Sequence, residues 1–271
     1  MNEAIMKTVL LAAAICAVLP LAAQTKAKPP VPKLSNGKPD LSGVWDHPFV
    51  IDMSQSSRND ACGAQLKGCS YKGPAEPIQM TAWGEEWFKN YKAEDFDATA
   101  HCNPMGYTRS SNAPVPTQIV ATPAQVVFLH ESMFAFHVVY LDGRSHPGDD
   151  ARQTTWYGHS VGKWEGDTLV IDTVGPFFAS PKMILDTRGH PISSQAHFVE
   201  RFSRPDYDTL AYEIVVEDPI SYAKPFKNTR IWKLMPAREE IMEYVCTENN
   251  KEIKEGLISS DIDKQKAAPE K

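Results

Sequence analysis

From position 117 to 246 the chain is a run of short β-branched and aromatic segments, each closed by a turn signal, with no helical periodicity linking them. No other feature constrains the fold as strongly. Residues 117–122, 125–131 and 133–141 read as strands, and Asp142-Gly143-Arg144 supplies a tight turn. Three hairpins follow. Residues 157–164 and 168–174 flank Glu165-Gly166-Asp167, and 196–203 and 210–217 flank Pro205-Asp206-Tyr207-Asp208. Residues 229–235 and 241–246 flank Pro236-Ala237-Arg238. With residues 40–45 as a first strand, this is an antiparallel up-and-down meander of eight or more strands. Open edges of so apolar a sheet would aggregate, so it must close into a barrel or stack as a two-sheet sandwich. The barrel is the expectation and the sandwich the alternative.

The segments outside this run have different jobs. Lys7 precedes an apolar stretch, 8–22, and Leu21-Ala22-Ala23 offers small residues for cleavage before Gln24. That is the layout of a signal peptide over 1–23, too short to span a bilayer. Residues 24–39, rich in Lys and Pro, read as an extended leader, 40–250 as one β-barrel domain, and 251–271 as a charged, disordered tail. One short amphipathic helix starts at Thr81, with Trp83, Trp87, Phe88 and Tyr91 at helical spacing, and is expected to pack on the β core.

The address implied is periplasmic or secreted. A net charge of -6 argues against nucleic acid as partner, and no later segment is apolar enough to span a membrane. Cys62, Cys69, Cys102 and Cys246 survive cleavage, and an even count in an exported chain reads as two disulfides. Of three connectivities, Cys62–Cys69 with Cys102–Cys246 is favoured. The loops so closed are worth about 2–3 and 4–5 kcal/mol in the chain-entropy model. A zinc site would want C-x-x-C spacing, which is missing.

Candidate chemistry depends on register. In the hairpin around Gly166, a two-residue turn sets Trp164 against Asp167 and hence His159 against Asp172; a three-residue loop brings Ser160 there instead. A His facing a carboxylate is the smallest oriented acid–base unit, and also an ordinary structural pair. Tyr157 would share that face. In the next hairpin, a four-residue loop pairs Arg204 with Thr209. His197, Val199 and Arg201 then join Leu210, Tyr212, Ile214 and Val216, the apolar side of their strand, so His197 and Arg201 point inward. The other register puts Glu200 inside with Phe198 and Phe202. The first is the expectation, and a buried Arg201 then needs an anion. His146 and His190 sit on loops. His130-Glu131 opens an H-E-x-x-H pattern that Phe134 breaks, and no nucleotide or triad-hydrolase motif is present. No cofactor and no metal is assigned from the sequence, and metal binding stays open.

Residues 156–172 (WYGHSVGKWEGDTLVID), 197–202 (HFVERF), Glu217-Asp218-Pro219, Cys102-Asn103-Pro104-Met105-Gly106 and Cys246-Thr247-Glu248 together resemble a widespread family of exported bacterial proteins. The resemblance implies export, β structure and the Cys102–Cys246 bridge. A second likeness, through Gly43-Val44-Trp45, is to lipocalin-type barrels, which implies a lumen holding one small apolar guest. The expected function is therefore binding of a small, mostly apolar molecule, with Arg201, Tyr212 and Tyr157 lining its pocket. The alternative is a cofactor-independent lyase, isomerase or hydrolase using His159 with Asp172, or His197 with Glu200. Oligomeric state stays open.

Overall fold

The computed structural model describes residues 28–54, 78–92, 98–148, 155–175 and 183–248. Within them nine strands form one closed barrel in sequence order: β1 Gly43–Asp46, β2 Thr117–Ala121, β3 Gln125–His130, β4 Ala135–Tyr140, β5 His159–Glu165, β6 Thr168–Val174, β7 His197–Asp206, β8 Thr209–Glu217 and β9 Phe226–Leu234. The meander is not wholly antiparallel. β4 pairs β5 in parallel, Val139 beside Ser160, and β1 closes on β9 antiparallel, Trp45 beside Leu234. A ring with an odd number of strands cannot alternate direction all the way round, so one parallel neighbour is a topological necessity. The chain meets it with the crossover from β4 to β5, which carries His146 up the outer wall to the start of β5. The expected last hairpin is absent: β9 gives its free edge to β1, and Met242, Tyr244 and Val245 are exposed.

Alternation puts one face of each strand inside. Phe198, Glu200, Phe202 and Arg204 of β7 are buried, as are Tyr212, Ile214 and Val216 of β8 and Asn228, Arg230 and Trp232 of β9. This overturns the expected register of β7. Asp206 pairs Thr209 across a two-residue turn, but the ladder shifts by one between Ser203 and Asp206, so that Phe202 faces Tyr212. A one-residue bulge flips every later side chain to the other face. Pro205, which has no N–H to give a ladder, sits in it. Glu200 is therefore inside, and His197 and Arg201 are outside.

The two barrel ends differ. At the end holding the β7–β8 turn, Arg204 lies 5.0 Å over the Trp45 ring and donates to the Asp40 carbonyl, while Trp45 Nε1 donates to Leu41 O at 2.9 Å. Residues 28–39 turn back across this end, with Lys28 ion-paired to Asp208 and Lys33 to Asp167. The other end is filled by residues 106–113, including α2 Tyr107–Ser110 and a run of buried polar side chains from Thr108 to Asn112. Gly106 opens this plug at φ 86°, and a side chain there would collide with Met183. The Cys102–Cys246 disulfide ties the plug's approach to the chain beyond β9.

The helix α1 Ala82–Asn90 is capped by Thr81, whose Oγ1 accepts from Gly84 N at 3.1 Å. It packs on loops rather than on the barrel wall. Gly84 is its one buried residue, placed where a Cβ would strike the Ser221 carbonyl oxygen. Phe88 stacks on His190 at 4.7 Å, and Trp83 stays 44% exposed. The signal segment, the Cys62–Cys69 pair and the tail 251–271 lie outside the described residues.

Candidate functional site

Inside the barrel a single hydrogen-bonded chain crosses from β4 to β8. His137 Nε2 meets Ser160 Oγ at 2.7 Å, Ser160 Oγ meets Thr173 Oγ1 at 2.7 Å, and Thr173 Oγ1 meets the Tyr107 hydroxyl at 2.9 Å. Tyr107 in turn donates to Glu200, whose other oxygen accepts from the Tyr212 hydroxyl at 2.6 Å. The Arg230 guanidinium lies 5.2 Å over the Tyr212 ring and donates to Asn228 Oδ1 and the Ser111 carbonyl, both at 2.9 Å. Burial raises Glu200 above the usual carboxylate range, although the two tyrosine hydroxyls and the Arg230 charge pull the other way. Burial and the neighbouring Glu200 hold both tyrosines well above 10. Burial also lowers Arg230.

Two more imidazoles line the plugged end. His47 Nε2 and His130 Nδ1 share the Thr117 hydroxyl at 3.1 and 3.0 Å. Burial lowers His47, His130 and His137 to about 3, so all three are neutral at ordinary pH. The middle of the lumen is packed with rings: Phe202 to Tyr212 at 4.7 Å, to Phe128 at 5.3 Å and to Trp232 at 5.4 Å. Tyr157 closes the plug side, its hydroxyl 2.6 Å from Ser110 Oγ.

The opposite face of the same strands carries a second constellation. His159 and Asp172 do share a face, but not as a facing pair: His159 opposes Val174, and Asp172 opposes Val161. His146 joins them, with Nδ1 2.8 Å from His159 Nδ1 and Nε2 3.0 Å from Asp172 Oδ1. His197 approaches the same oxygen through Nε2 at 3.2 Å and Glu217 through Nδ1 at 3.0 Å. All five are partly exposed. Arg201, expected inside, pairs with Glu165 at 2.9 Å on this outer wall. His197 and Glu200 lie on opposite faces of β7 and cannot act as an acid–base pair.

At the plugged mouth lies a cavity of about 180 Å³, lined by Phe49, Val50, Met105, Ala113, Pro114 and Thr187 with Arg109 and Asn112. Asn112 is buried, its Nδ2 bonded to Leu185 O at 3.0 Å and its Oδ1 without a partner.

Of the residues singled out from sequence, Tyr212 and Glu200 meet in the interior, while His159, Asp172 and His197 meet on the wall. Tyr107, Arg230 and Arg109 escaped notice. Tyr107 directly follows the Cys102–Gly106 motif, the one local hint available; nothing local marks Arg230 or Arg109. No family model, curated protein or solved structure matches the chain.

Proposed function

We propose that this is an exported protein that binds a small, mostly apolar molecule bearing an acidic group, at the plugged mouth of its barrel. The mouth cavity carries this reading. Its wall is apolar except for a guanidinium, an amide and the Thr187 hydroxyl, and so small a set of polar groups is how binding pockets fix a guest. An apolar cavity of about 150 Å³ takes benzene, so about 180 Å³ suits a single-ring or short-chain carboxylate. Arg109 would hold the carboxylate, the part the sequence had given to Arg201. Export is supported by the apolar stretch behind Lys7 and by the Cys102–Cys246 bridge.

Thermal unfolding of the mature protein with benzoate, hexanoate and benzene tests the reading. Benzoate or hexanoate should raise the melting temperature by mass action, more than benzene does, and Ala113→Phe should abolish the rise by filling the space. No shift with any of the three at millimolar concentration overturns it.

A further inference from the structure

We propose that the outer wall of the barrel holds a transition-metal ion of the zinc, nickel or copper type, ligated by His146 Nδ1 and His159 Nδ1 and supported by Asp172, His197 and Glu217. This site is independent of the mouth cavity and of its guest.

The geometry starts from the two imidazoles. Their Nδ1 atoms stand 2.8 Å apart, so in neutral rings one must donate and the other accept. A metal takes the place of that shared proton. Bonds of about 2.0–2.1 Å at a near-tetrahedral angle put two ligating nitrogens about 3.3 Å apart, so a half-ångström adjustment suffices. His146 rides on the crossover between β4 and β5, not on a strand. His159 is held by the wall, its ring stacked on Tyr140 at 5.7 Å.

The surroundings match what metal-bound histidines require. His146 turns its other nitrogen, Nε2, to Asp172 Oδ1 at 3.0 Å. A carboxylate behind a ligating imidazole fixes the tautomer that leaves Nδ1 bare for the metal. Asp172 is itself held by His197, and His197 by Glu217. Two carboxylates beside three imidazoles lower the cost of a divalent charge on the wall. With two protein ligands, the remaining positions are filled by water or by an incoming group.

A second constellation, Asp52, Asp186 and His190, is the one among the described residues that places three donor atoms within 4.8 Å of one another. It is already saturated. Asp186 Oδ2 accepts from Met53 N at 2.6 Å and faces His190 Nδ1 at 2.7 Å, while Oδ1 accepts from the Arg188 and His190 backbone. It serves as a knot between loops.

Untagged mature protein, stripped with a chelator and titrated with Zn²⁺ in a calorimeter, tests the proposal, with Co²⁺ absorbance reporting nitrogen ligation. One equivalent of Zn²⁺ should bind. His146→Ala and His159→Ala should each abolish binding while leaving the melting temperature of the metal-free protein within a few degrees. His197→Ala, acting through Asp172, should weaken binding about tenfold. Absence of saturable binding, or one equivalent that survives both alanine variants, overturns the assignment; if Asp186→Asn alone removes it, the ion belongs to the loop knot instead.

Discussion

The inner and outer faces of β5 to β8 carry the same kinds of side chain with opposite consequences. An odd number of steps along each strand separates them: Ser160 is inside and His159 outside, Thr173 inside and Asp172 outside, Glu200 inside and His197 outside. On the inside, every oxygen of Glu200 has a tyrosine donor, and the buried histidines are forced neutral. On the outside, two carboxylates and three imidazoles share water with their partners. A closed, saturated network rigidifies and has nothing left to offer a ligand, whereas a half-wetted one can exchange a proton or a cation. Chemistry on this molecule is therefore to be sought on its wall and at its mouth rather than in the packed middle of the lumen.

Acid should break the contrast most. His47, His130 and His137 sit at about 3 when folded and near 6.5 when unfolded, so the unfolded chain binds more protons between those values. Their contribution is intact above pH 6.5 and is lost as pH falls toward 3, at up to about 1.4 kcal/mol per ring per pH unit. Glu200, raised by burial, works in the opposite sense: it releases its proton less readily when folded, so stability from this group grows as pH falls through its range. Urea unfolding at pH 7 and pH 5 should differ by about 5 kcal/mol. The loss should be steeper in Glu200→Gln, which lacks the compensating group. A flat profile would mean that the three rings are solvated.

Next in size, Glu200→Ala should cost about 3 kcal/mol of unfolding free energy in urea at pH 7, because two buried hydroxyls lose their acceptor and a cavity opens. A cost under about 1 kcal/mol would show water already reaching the network. Smallest is the wall: Asp172→Ala should change stability by less than about 1 kcal/mol and by less still in high salt, since the pairs it breaks are half-exposed. A loss as large as that at Glu200 would erase the distinction between the faces.

Much of the architecture could be read in advance. Turn chemistry at Gly166 and around Asp206 marked the hairpins, and the run of apolar segments demanded closure. Thr81 announced its helix, and the even cysteine count pointed to the Cys102–Cys246 bridge. The aromatic stripe of that helix misled: it meets loops rather than the β core, with Phe88 stacked on His190, Tyr91 against Gly189, and Trp83 stacked on Trp87 but still 44% exposed. The site was legible in its members but not in its groupings. His159 and Asp172 share a face because the observed two-residue turn keeps the parity of the expected one, although it slides the pairing by two. Their connector, His146, arrives from a crossover that no local pattern places.

What the sequence by itself determined is the inventory: segments of period two, their turns, and a chain that had to close on itself. Which face each ionisable side chain took was decided only in three dimensions. Period-two alternation makes inside and outside depend on an integer, the register, and the shift between Ser203 and Asp206 changes that integer by one when β7 and β8 settle into a ring closed by β1 and β9. The plug follows the same rule, because Tyr107 reaches Glu200 across 93 residues of chain and only a closed barrel brings the two together.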